Sequence, residues 1–127
     1  MISKNLFKLS IIIPCYNENH TIEKIISKII ESLINYKIEN YEILIVDDFS
    51  TDGTREKLRD YESKDKFKII YHEKNQGKGA AIQTAIKYIE GDITLIQDAD
   101  LEYDPSDYDK LLLPFFETDA DIVYGSR

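Results

Sequence analysis

The chain has 127 residues, 43% hydrophobic and 31% charged, with 5 Gly, 3 Pro and a single Cys. That is enough to bury a core, and it excludes collagen-like, low-complexity and disordered classes. A net charge of −8 excludes duplex nucleic acid as a partner, because such binding needs a basic footprint.

The lone Cys15 excludes an internal disulfide framework and a Cys-rich zinc site, and fits a reducing, cytoplasmic compartment. No apolar run is long enough for a membrane span. Ser3, Lys4, Asn5, Lys8 and Ser10 interrupt the N-terminal stretch, which argues against a signal peptide. Residues 1–91 carry 14 basic and 14 acidic residues, whereas residues 92–127 carry 10 acids against Lys110 and Arg127. Most of that acidity reads as a solvated face; the motifs decide which acids await a cation.

Leu9–Ile13 is an Ile-rich apolar run of strand length, as in a strand buried on both faces. Ile22, Ile25, Ile26, Ile29, Ile30, Leu33 and Ile34 then recur at helical spacing, with Asn19 or Thr21 as the expected cap. Tyr41–Val46 reads as a second strand. Ser50-Thr51-Asp52-Gly53 reads as a turn into a short polar helix ending near Tyr61. Lys68–Tyr71 reads as a third strand, followed by the loop Asn75-Gln76-Gly77-Lys78-Gly79. A helix follows on Ala81, Ile82, Ala85, Ile86 and Ile89, with its end marked by Gly91. Ile93–Gln97 and Ile122–Tyr124 are the last strands, around a helix from Pro105 to about Glu117 that Pro114 interrupts. This alternation predicts one α/β domain over 1–127 with a mainly parallel sheet and right-handed crossovers.

Ligands of such sheets bind beyond the carboxyl ends of the strands. Those ends carry Pro14-Cys15-Tyr16-Asn17-Glu18, Asp47-Asp48-Phe49-Ser50, His72 with the Gly77-Lys78-Gly79 loop, and Asp98-Ala99-Asp100-Leu101-Glu102. Carboxylates beside apolar strands are costly unless compensated. Asp98 and Asp100, two residues apart, share one face of an extended segment, and Glu102 continues it; such hard oxygens suit Mg²⁺ or Mn²⁺. An Asp-x-Asp is also common in plain surface loops. Asp47 or Asp48 suits a base imide or a ribose hydroxyl; alternatively, Asp48 or Ser50 caps the next helix. Lys78 at a helix start suits a phosphate. The segment is neither a dinucleotide fingerprint, since Ile82 stands where the third glycine belongs, nor a Walker loop. His20 and His72 read as helix-start and loop residues, and Cys15 as a small buried hydrophobe.

Taken together, Ile12 to Glu18, Val46 to Thr54, Asn75 to Ala81, Gln97 to Pro105 and Tyr124 to Arg127 resemble a family 2 glycosyltransferase. They are most similar to the polyprenyl-phosphate branch, the dolichol-phosphate mannose or glucose synthases. The resemblance implies a three-layer Rossmann-like nucleotide-diphospho-sugar transferase fold of GT-A type, with this chain as its nucleotide-binding part. It implies nucleotide contacts from Pro14, Tyr16, Glu18, Val46, Asp48, Lys78, Asp98 and Ala99, with Asp48 on the base and Asp98 along the ribose and diphosphate. It implies a Mg²⁺ or Mn²⁺ site at Asp98, Asp100 and Glu102, and catalytic roles for Asp98, Asp100 and Arg127, the last facing phosphate.

The implied reaction is an inverting transfer from a UDP- or GDP-sugar to a polyprenyl phosphate, whose anionic oxygen needs no general base. That acceptor would place the full-length protein at the cytoplasmic face of a membrane. One departure is Phe49, where the family usually has Gly; a bulky residue there predicts a different local turn. The other is length: the family continues past Arg127 into an acceptor-binding half. The chain therefore reads as truncated at its C-terminus, with an exposed sheet edge suited to self-association. The alternative is a catalytically inactive nucleotide-sugar-binding module; a nucleotidyltransferase is disfavoured because no glycine-rich basic loop follows the first strand.

Overall fold

The computed structural model describes residues 7–99 and the backbone of 122–124. Five strands, β1 (Leu9–Cys15), β2 (Tyr41–Asp47), β3 (Phe67–Tyr71), β4 (Ile93–Ile96) and β5 (Ile122–Tyr124), form one sheet in the order β3-β2-β1-β4-β5. Every pairing is parallel, with Ile12 opposite Leu44 on one side and Ile96 on the other. The helices are α1 (Ile22–Asn35), α2 (Thr54–Leu58), continued by a 3₁₀ turn at Arg59–Tyr61, and α3 (Lys78–Ile86). The helix expected from Pro105 to Glu117 lies outside the described residues.

The period of two along the strands sorts the core into layers. Leu9, Ile11 and Ile13 join Ile43 and Ile45 against Ile22, Ile25, Ile26, Ile29 and Leu33 of α1. Ile12, Leu44, Val46 and Ile96 face the other way, onto Ala81 and Ala85 of α3. Small alanines let α3 approach the sheet closely. The apolar stripe of α1 is narrower than its sequence suggests, because Ile34 is 70% exposed.

Two expected helix signals do other work. Thr21 precedes α1 but makes no side-chain cap; its hydroxyl instead lies 2.7 Å from the Ala99 carbonyl oxygen and 2.9 Å from Glu18 Oε2. α3 ends at Ile86, so Gly91 does not cap it. Gly91 is needed where the chain crosses β1: a Cβ there would lie 2.4 Å from Ser10 Oγ and 2.8 Å from the Lys8 carbonyl. Among the described residues no helix is long and apolar enough to cross a membrane.

Candidate functional site

Proline sets where the site opens. Even-numbered residues of β1 bond towards β4, as the Gln97 amide donating to Ile12 O at 2.8 Å shows. The next rung would need an N–H at position 14, which proline lacks. The ladder to β4 ends there, and beyond it lies a cavity of about 420 Å³. β1 and β2 stay joined further along, through the Asp48 amide to Cys15 O at 2.8 Å.

Seven of the eight predicted nucleotide-binding residues line this cavity: Pro14, Tyr16, Glu18, Asp48, Lys78, Asp98 and Ala99. Val46 does not; its side chain is buried in the sheet core on α3's side. Asp100, Glu102 and Arg127 lie outside the described residues. Cys15, Asn75, Gly77 and Ala81 complete the wall. Burial and the nearby Asp47 push the Cys15 thiol up, so it stays neutral, as expected of a buried hydrophobe.

The adjacent aspartates have divided tasks because successive strand residues point to opposite faces. Asp47 is fully buried, and its Oδ2 accepts the Arg55 Nε at 2.7 Å and the Ser50 amide at 3.0 Å. Arg55 also donates to the His72 carbonyl, and its guanidinium lies between the Phe49 and Tyr71 rings, 5.3 and 5.2 Å from their centroids. Asp47 is thus an internal counter-ion, and nothing local in the sequence marks Arg55 as its partner. Phe49 takes a positive φ, 69°, in the left-handed region that favours glycine. The strain is held by the packing around the ring.

Asp48 neither caps the next helix nor stands free. Its Oδ1 accepts the Gln76 amide and His72 Nδ1, both at 2.8 Å, and its Oδ2 accepts the Gly77 amide at 2.8 Å. Burial alone would raise its pKa, but the bonds from His72, Gln76 and Gly77 outweigh it and hold the carboxyl below its ordinary range. Gly77, at φ 97°, takes a conformation that other residues rarely adopt. That turn aims two successive amides at one carboxylate. His72, expected as an isolated loop residue, is buried and joins Asp48 to Thr84 of α3, whose Oγ1 lies 2.9 Å from Nε2. Its partners stand 24 and 12 positions away, so no sequence spacing reveals it.

On the far wall, Lys78 Nζ lies 2.5 Å from Asp98 Oδ1. Among the described residues no group of three or more His, Cys, Asp or Glu is placed to hold a metal. Asp98 Oδ2 has no partner among them, and its hard oxygen fits Mg²⁺ or Mn²⁺ as one ligand of a larger set. The first motif loop is stitched to the second: Asn17 N donates to Ser50 Oγ at 2.8 Å, Glu18 N to Thr54 Oγ1 at 3.0 Å and Asn19 N to Asp52 Oδ2 at 3.1 Å. Ser50, Asp52 and Thr54 are therefore scaffold for Tyr16 and Glu18.

The sequence model of Glycosyl transferase family 2 matches residues 10–127. A dolichol-phosphate mannosyltransferase of Pyrococcus furiosus is 38% identical over 120 residues, 94% of this chain and 33% of that protein. A solved mannosyltransferase from Pyrobaculum calidifontis, in complex with GDP-Man and Mn²⁺, superposes with a TM-score of 0.69 at 30% identity, over 80% of this chain and 30% of that one. S. aureus TarS in complex with UDP-GlcNAc gives 0.68 at 29%, over 87% and 31%. The chain thus spans about a third of the length of these relatives. It belongs to Glycosyl transferase family 2, and its α/β fold is of GT-A type.

Proposed function

From this family membership we infer that residues 1–127 form the nucleotide-sugar-binding unit of a glycosyltransferase. The observation that carries the reading is the meeting, in one cavity at the ends of β1, β2 and β4, of Asp48, Lys78 and Asp98. Asp48 receives the base. Lys78, at the head of α3, meets the diphosphate with its charge reinforced by the dipole of the helix start. Tyr16, 47% exposed at the cavity, flanks the nucleoside.

Asp98, with Asp100 and Glu102 from the sequence motif, would hold Mg²⁺ or Mn²⁺, as the bound Mn²⁺ of the Pyrobaculum relative supports. When bound, the ion neutralises charge on the departing diphosphate. In this chain Lys78 then exchanges Asp98 for phosphate oxygens, and Arg127 adds a second cation there. The donors bound by the two solved relatives, GDP-Man and UDP-GlcNAc, leave the base open between guanine and uracil. A polyprenyl phosphate is the acceptor that the Pyrococcus relative's name supports, and it sets the reaction at a membrane surface on its cytoplasmic side.

Titration calorimetry with UDP and GDP, with and without Mn²⁺, tests the reading. Metal-dependent binding that Asp100→Ala abolishes is expected; a folded chain that binds neither nucleotide contradicts it.

A further inference from the structure

We propose that Asp48 selects uracil over guanine and that His72 sets this preference, a proposal resting on the nucleotide reading of the cavity. A carboxylate has about four acceptor sites, two on each oxygen. On Asp48 both sites of Oδ1 are taken, by His72 Nδ1 and the Gln76 amide, while among the described residues Oδ2 takes the Gly77 amide alone. One site remains, on Oδ2, in a residue that lines the cavity. The ring proton must sit on Nδ1, because only an N–H can approach an ionised carboxylate oxygen at 2.8 Å. The Thr84 hydroxyl at Nε2 holds the other side of the ring, so His72 cannot turn away without losing both bonds.

The two bases present different edges. Uracil offers one imide N–H between two carbonyl oxygens. Guanine offers a ring N–H between one carbonyl oxygen and an exocyclic amine, and the N–H and amine are adjacent donors that pair with both oxygens of an open carboxylate. With Oδ1 closed, either ring N–H fits the remaining site, but the amine of guanine finds no acceptor on Asp48. An unpaired buried donor lowers affinity by about ten-fold or more. Either base also finds a donor for the carbonyl beside its ring N–H, so the discrimination rests on the amine. Asn75, in the same wall, donates one amide N–H to the Asp48 carbonyl at 3.2 Å and keeps the other. His72 is thus a specificity-determining residue that acts through Asp48.

Calorimetry on the 127-residue chain with UDP, GDP and IDP in Mg²⁺ tests this. UDP is expected to bind at least about ten-fold more tightly than GDP. IDP, a purine that differs from GDP only in lacking the amine, is expected to exceed GDP by a similar factor. His72→Leu reopens Oδ1 and should close the gap between UDP and GDP, whereas His72→Gln, whose amide refills that site, should preserve it. GDP binding as tightly as IDP overturns the proposal without requiring any variant to fold. A His72→Leu chain that melts like wild type and weakens both nucleotides equally overturns the role of His72. Equal binding of UDP and GDP by wild type sinks this inference alone; binding of neither by a folded chain sinks the nucleotide reading with it.

Discussion

The two ends of the sheet both bury carboxylates, and they use them differently. At the amino ends of the strands, Glu42 is 4% exposed and ion-paired: Oε2 accepts the Ser10 hydroxyl and the Glu90 amide, each at 2.6 Å, and Oε1 lies 3.0 Å from Lys68 Nζ. Burial would raise its pKa, but Ser10, Glu90 and Lys68 together hold it below the ordinary range. At the carboxyl ends, Asp48 is equally buried and also accepts three bonds, from His72, Gln76 and Gly77 but from no lysine, while Asp98 pairs with the half-exposed Lys78. A buried acid is therefore a poor sign of function by itself. What distinguishes the cavity end is that Asp48, Asp98 and Lys78 line one cavity with Tyr16 and Glu18.

Substitution at the two ends should separate these roles. Asp48→Ala leaves the Gln76 and Gly77 amides and His72 without their acceptor. It should cost about 3–5 kcal/mol of stability and reduce nucleotide affinity beyond detection by calorimetry. Glu42→Gln should cost about 1–3 kcal/mol in a urea melt and leave nucleotide affinity within about two-fold of wild type. A Glu42→Gln chain with strongly weakened binding would break the comparison. Lys78→Met tests the other wall: it should weaken UDP and GDP by about ten-fold, the scale of one charge-assisted bond, with little change in melting because Lys78 is half exposed.

Both buried acids also predict a common pH response. Their folded pKa values lie below the unfolded value of about 4, so their contribution is complete above that value. It is lost as pH falls through the folded pKa. Urea midpoints should therefore stay level from about pH 7 to 5 and drop towards pH 3, and Asp48→Asn should make the drop shallower. The smallest effect is expected at Phe49. Phe49→Gly relieves its positive φ but removes the ring beside Arg55, and the two should nearly cancel, leaving stability within about 1 kcal/mol of wild type.

Much of this architecture could be read from the chain, because β1, β2 and α1 carry their burial in local periodicity. Their observed limits extend the predicted ones by at most two residues, as at Pro14 and Cys15 of β1. The motif residues could be read for the same reason: a parallel sheet delivers whatever follows its strands to one rim. What could not be read depends on distant approaches. Gly91 is small because Ser10, 81 positions away, passes against it, not because a helix ends there. His72 and Arg55 acquire meaning only when β2, β3 and α3 converge. The division between Asp47 and Asp48 was open to strand alternation, which places Asp47 on α1's side and Asp48 on α3's.

The central claim, that the rim of β1, β2 and β4 receives a nucleoside diphosphate, is tested most directly by amide NMR during titration with UDP and Mg²⁺. The expected result is shifts concentrated at residues 15–18, 48, 75–79 and 98–99, with Ser10, Glu42, Glu90 and Gly91 unmoved. Shifts centred on that second set, or none in a chain with a folded spectrum, would contradict the account.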